Sequence, residues 1–109
     1  LLARDFIIRS VGGNTAAPVE FAVEKGVRDD ALAYLWGIFD QWDIVSYRPE
    51  TFVCEADRIA VVSACAFRNK QTKKIAEFRI ANFWRFRDGK AVEMVEVFDT
   101  AAALKAGTP

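Results

Sequence analysis

Any chemistry in this chain is done without imidazole, because its 109 residues include no histidine. That removes the Ser-His and Cys-His nucleophile pairs and the usual imidazole-based zinc and iron sites. Carboxylates, amides, hydroxyls and guanidinium groups remain, and two of them stand out by position. Residues 74 to 87 alternate strictly, with Phe78, Ile80, Asn82, Trp84 and Phe86 on one face, so Asn82 is a polar intruder in an apolar row. Asp88-Gly89 is a two-residue hairpin signal. The strand beyond it puts Val92, Met94, Glu96 and Phe98 on one face. Closing that hairpin sets Trp84 or Phe86 across from Val92 or Met94 and makes Asn82 and Glu96 near neighbours. Apolar surroundings disfavour the charged form of a carboxyl group, which makes Glu96 a candidate general acid or base. A buried amide must find hydrogen-bond partners or lose about 1–3 kcal/mol. The opposite face of the second strand (Glu93, Val95, Val97, Asp99) is equally mixed. Alternation therefore leaves three plainer options open: Glu96 on the wet side, Asn82 as a satisfied core amide, and the aromatic row as ordinary core.

Composition narrows the function classes. The chain is 52% hydrophobic and 28% charged, with fifteen basic and fifteen acidic residues. A chain of this length makes one domain, residues 1–109, with a core of its own. The balanced charge argues against nucleic acid or an anionic membrane as partner. The longest apolar run, Ile59 to Phe67, already contains Ser63 and falls well short of the roughly 18 residues a membrane helix needs. There is no GxxxxGK[ST] or GxGxxG phosphate cradle. Cys54 and Cys65 lack CxxC spacing and read as two buried thiols in a reducing compartment, the cytoplasm. No metal and no other cofactor is expected. The chain begins at Leu1 rather than methionine and shows no signal-peptide pattern, so a processed or truncated N-terminus is expected.

The elements that must position Asn82 and Glu96 follow from periodicity. Phe6 to Arg9 is a short strand ended by the turn Val11-Gly12-Gly13-Asn14, and residues 14 to 26 read as a loop with a short strand at 19–23. Asp29-Asp30 open a helix whose stripe is Leu32, Leu35, Trp36, Phe39 and Trp42. Gly37 within it predicts a close approach to another backbone. Strands are expected at 44–48 and 52–55, split by Pro49, then at 58–68, 74–87 and 91–98. A tail of small residues closes the chain at 101–109. The order gives α+β: a curved, mostly antiparallel sheet forming a cone around a helix.

The run Phe83-Trp84-Arg85-Phe86-Arg87-Asp88-Gly89-Lys90-Ala91-Val92, followed by Glu96-Val97-Phe98-Asp99-Thr100, resembles the closing hairpin of SnoaL-like domains. These belong to the ketosteroid-isomerase-like, nuclear-transport-factor-2-like superfamily. The resemblance covers nearly the whole chain, lacks the family's N-terminal helical part, and implies the cone fold, a homodimer and polyketide-, steroid- or terpenoid-like ligands. In the isomerase branch the proton-shuttling aspartate matches Ser10, which cannot shuttle that proton. The oxyanion-binding acid of that branch matches Asn82, which can still donate a hydrogen bond. The epoxide-hydrolase branch uses two carboxylates bridged by an arginine; Glu96 matches one, while the neighbouring strand offers Ser63 and Cys65 instead. Fold inferences transfer readily within such a superfamily, and activities do not.

The expected function is therefore binding of a small apolar molecule in the cone, with acid–base chemistry of an isomerase, cyclase or hydrolase type. Glu96 would carry the proton and Asn82 would donate to a carbonyl or developing oxyanion. Phe78, Ile80, Trp84, Met94 and Phe98 would form the wall. The alternative is a non-catalytic ligand carrier or a dimerisation module, for which outward Phe83, Val95 and Val97 supply an apolar patch.

Overall fold

The structure is a computed structural model that describes residues 2–10 and 28–109, without the side chains of residues 28, 30, 31, 34 and 35. Its elements are β1 (Leu2–Ser10), α1 (Arg28–Gln41), β2 (Trp42–Glu55), β3 (Arg58–Asn69), β4 (Ile75–Arg87), β5 (Lys90–Phe98) and α2 (Thr100–Gly107). The expected turn at residues 11–14 and strand at 19–23 lie outside the described residues. The five strands form one sheet in the order β1-β5-β4-β3-β2, with β1 parallel to β5 and every other pair antiparallel. Helix α1 contacts both β1 and β2, the two edges of that sheet. Ile38 of α1 packs against both apolar clusters of the sheet's inner face, so the sheet curls round the helix, and this curl gives the cone its shape.

The hairpins follow from local sequence. Asp88 and Gly89 both take positive φ, +52° and +77°, as a two-residue turn of the I′ kind requires. Strand β2 is one continuous element where the sequence predicts two. Pro49 does not break it, because β2 is an edge strand and a missing N–H there need cost no ladder bond. Two irregularities, at Ile44/Ser46 and Pro49/Thr51, bend the strand instead.

The closing segment is not a loose tail but helix α2. Asp99 caps it by accepting a hydrogen bond from the Ala102 N–H at 2.9 Å, and the Ala- and Leu-rich run behind it has high helix propensity. Ala103 and Ala106 are buried against Trp42, Phe67, Ala76 and Phe98. The β3–β4 turn clamps the far end of the helix, with the Thr72 hydroxyl donating to the Ala106 carbonyl.

Helix α1 also departs from expectation. Among its described side chains it is Ile38 that packs against both apolar clusters of the inner face. Leu32, Trp36 and Phe39 are exposed, Trp36 at 66%, and Trp42 opens β2 rather than ending the helix. The reason is angular: at 100° per residue, position 38 lies more than a quarter turn from each of positions 32, 36 and 39, so a stripe drawn through those three marks a different face. The expected stripe's Leu35 lies outside the described side chains. Among the described residues nothing makes the close approach expected at Gly37, where a Cβ would meet nothing within 4 Å.

Candidate functional site

Asn82 and Glu96 lie directly opposite each other on β4 and β5, on the inner face. The Asn82 side-chain N–H donates to Glu96 Oε2 at 3.1 Å and also approaches Met94 Sδ at 3.3 Å. The Asn82 carbonyl oxygen accepts from the Tyr47 hydroxyl at 3.3 Å. A chain of side-chain hydrogen bonds thus runs from β2 to β5 through the buried Asn82, which is 7% exposed. Burial pushes the Tyr47 phenol above its ordinary value, and the nearby Cys65 and Glu96 add to the rise, while the Ser63 hydroxyl works against it. A raised value keeps the phenol protonated, and so a donor, at neutral pH. Burial, with the Glu96 charge behind it, pushes the Cys65 thiol up to about 11, so this sulfur is held as an unreactive thiol. Cys54, expected to be buried, is exposed near the tip of the β2–β3 hairpin.

A cavity of ≈ 210 Å³ opens beside this chain. Ile38 of α1, Trp42, Ile44 and Tyr47 of β2, Phe78 and Ile80 of β4, Glu96 and Phe98 of β5, and Ala103 of α2 are among its lining. Tyr47 and Glu96 bring the oxygen atoms, and the other lining side chains are hydrocarbon or indole. Asn82 is not among the lining residues. Its amide is spent on Glu96 and Met94, so the cavity-facing donor is Tyr47 rather than Asn82.

Of the five expected wall residues, Phe78, Ile80 and Phe98 line the cavity. Trp84 and Met94 do not. They pack in the other cluster, with Phe6, Ile8 and Ala91, where the Trp84 ring stacks on Phe86 at 6.2 Å between centroids. They share a strand face with the wall residues but sit two same-face pairs beyond Ile80 and Phe98 toward the hairpin, where β1 fills the space. Ser10 pairs with Glu96 across β1 and β5 and is buried.

Alternation on β2 could not have pointed to Tyr47. Trp42 and Ile44 face inward at even positions, and the irregularity between Ile44 and Ser46 then shifts the inward set to odd positions. The sequence carries no strong mark of that bulge.

A sheet wrapped on a helix, with an apolar hollow on its concave side, defines the nuclear-transport-factor-2-like class of α+β cones. The chain belongs to the SnoaL-like domain family, whose pattern matches residues 1–94. Solved structures agree on the fold. An NTF2-like protein from Burkholderia thailandensis is 20% identical, covers 99% of this chain and 80% of its own, and superposes with a TM-score of 0.84. An NTF2-like protein from Burkholderia xenovorans is 26% identical over 98% of this chain and 78% of its own, with a TM-score of 0.83. IdmH from Streptomyces antibioticus, a candidate polyketide cyclase, is 19% identical over 97% of this chain and 81% of its own, with a TM-score of 0.72. No curated protein matches the chain. Among the described residues no helix is long and apolar enough to cross a membrane.

Proposed function

We propose that the cavity binds a small, mainly apolar molecule carrying a carbonyl group, and that Glu96 and Tyr47 move and hold its proton and charge. The observation that carries this reading is the pairing of one carboxylate and one phenol, linked through Asn82, in an otherwise apolar hollow. The Glu96 carboxylate takes a proton from the carbon beside the carbonyl, the electrons of that C–H bond move onto the oxygen, and the Tyr47 O–H hydrogen-bonds the enolate. Glu96 then returns the proton to the same or a conjugated carbon, which completes an isomerisation or primes a ring closure. Asn82 is a positioning residue, holding the carboxylate with its N–H and the phenol with its carbonyl. A cavity of about 150 Å³ accommodates benzene, so this one suits a substituted ring or a small fused pair. The cyclase description of IdmH is in keeping with such a ligand. Cys54 and Cys65 both stand as free thiols, which fits a reducing compartment such as the cytoplasm.

The test uses 2-tetralone in deuterated water, with exchange beside the carbonyl followed by proton NMR and binding followed by Trp42 fluorescence. Wild-type protein should speed exchange over buffer, and Glu96→Gln should cut the protein-dependent rate about 10²–10⁴-fold. Binding should survive the substitution. Binding without exchange would leave a ligand carrier; a Glu96→Gln rate equal to wild type would remove Glu96 from the mechanism.

A second reading, assembly of two copies through the outer face, draws on the exposure of Phe83 and Val97 there. Phe83→Glu would then halve the mass measured by light scattering, and an unchanged mass would discard it.

A further inference from the structure

Ser63 is among the most buried side chains of the molecule, 1% exposed, and its hydroxyl has no hydrogen bond of normal geometry. Such an orphan is costly, by about 1–3 kcal/mol for a buried polar group left unsatisfied. It sits on β3 opposite Pro49 of β2 and Ile80 of β4. Proline has no N–H and Ile80 has no polar side chain, so neither partner residue's side chain answers the hydroxyl. The polar group that does stand within its influence is the Tyr47 phenol, two positions from Pro49 on the same strand. In the structure that phenol gives its proton to Asn82 at 3.3 Å, long for a bond between two oxygens.

We infer that Ser63 is the positioning residue for Tyr47: when the phenol turns its proton to the ligand's oxygen, the Ser63 hydroxyl donates into the phenol oxygen behind it. The result is a relay from Ser63 through Tyr47 to the ligand, and the orphan is satisfied in the liganded arrangement. The relay gives a use to a hydroxyl at a site that alanine would fill without an unmet group. Each donor in such a row polarises the next, which strengthens the bond to the developing oxyanion. The direction of the effect on the phenol is fixed, since a donor aimed at its oxygen favours the phenolate. This inference rests on the proposed carbonyl reading for its purpose. The Ser63–Tyr47 link itself does not depend on turnover.

The experiment takes that independence as its control. Tyr34→Phe leaves Tyr47 as the single tyrosine. Incorporating 3-fluorotyrosine lowers the phenol's intrinsic value so that its titration can be followed by fluorine NMR in folded protein. Ser63→Ala should move the Tyr47 midpoint upward, reduce tetralone exchange about tenfold with little change in its affinity, and leave the melting temperature equal or higher. Ser63→Thr, which keeps the hydroxyl, should restore both the midpoint and the rate. An unmoved Tyr47 midpoint in Ser63→Ala overturns the link, whatever happens to activity. A moved midpoint in a protein that exchanges no ketone would keep the link and overturn the proposed chemistry alone. A lower melting temperature with an unmoved midpoint would assign Ser63 to packing.

Discussion

Phe6, Ile8, Ala91 and Met94 fill one end of the sheet's inner face, whereas Trp42, Phe67, Ile80 and Phe98 stand round a hollow at the other. Strands β4 and β5 run through both ends with the same alternation of side chains. They differ in what covers them. At the filled end β1 lies parallel along β5 and sends in Phe6, whose ring meets Trp84 at 6.4 Å between centroids, with Trp84 stacked in turn on Phe86. At the hollow end the cover is α2, which buries Ala103 and Ala106 in the cluster and packs Ala102 against it. Methyl groups cannot occupy the space that large rings do. Tyr47, Asn82 and Glu96 lie along the boundary, close enough to the filled end to be held and open to the hollow end to act. Packing rigidity on one side and vacant volume on the other are what a preorganised site needs.

The sharpest way to break this contrast is Phe6→Ala. Phe6 is 1% exposed, and its loss should cost about 3–5 kcal/mol in urea unfolding. Phe78→Ala, at the wall of an existing hollow, should cost about half as much, because fewer contacts are lost there. Equal costs would mean that the two ends are packed alike. Next in size is Asn82→Ala, which leaves Tyr47 and Glu96 without their common partner and should cost about 1–3 kcal/mol. A double-mutant cycle with Glu96→Gln should then be strongly non-additive. Ala103→Leu extends a side chain from α2 into the hollow. It should weaken 2-tetralone binding about tenfold, or about 1.4 kcal/mol, by calorimetry, while the melting temperature holds.

The smallest effect is expected at the rim. Asp5 of β1 accepts from Arg87 of β4 at 2.9 Å and 3.2 Å, and that guanidinium holds its carboxyl below the usual value. A lowered folded-state value means that the pair's stabilisation is complete above the ordinary value of 3.8 and is lost as pH falls through the folded one. The pair is exposed, so the gain is screened and small. Asp5→Asn should therefore leave neutral-pH stability almost unchanged and flatten the last part of the acid-unfolding curve. A marked loss at pH 7 would contradict that account.

Much of the site's frame was legible in the chain. Asp88-Gly89 set the hairpin, and the hairpin brought Asn82 and Glu96 close on neighbouring strands. The turn's own register, continued from Arg87 and Lys90, would set Asn82 opposite Val95; the irregularity between Arg85 and Phe86 moves its partner to Glu96. The wall was half legible, since Phe78, Ile80 and Phe98 line the hollow and Trp84 and Met94 do not. Strand alternation tells which face a residue occupies and says nothing of where along that face another element lies. The helix stripe was misplaced at Leu32, Trp36 and Phe39 for a similar reason, because an α1 with apolar residues on several sides does not declare that Ile38 is committed to the core.

The sequence by itself determined the absence of imidazole chemistry, the α+β order of elements and the Asp88-Gly89 hairpin that brings Asn82 near Glu96, since composition and turn chemistry are local properties. Only the tertiary structure decided that Tyr47 faces inward, that α2 caps the sheet with alanines, and that a hollow survives beside Glu96. Each of these depends on a bulge in an edge strand or on the meeting of segments far apart in the chain, where the outcome is set by long-range packing.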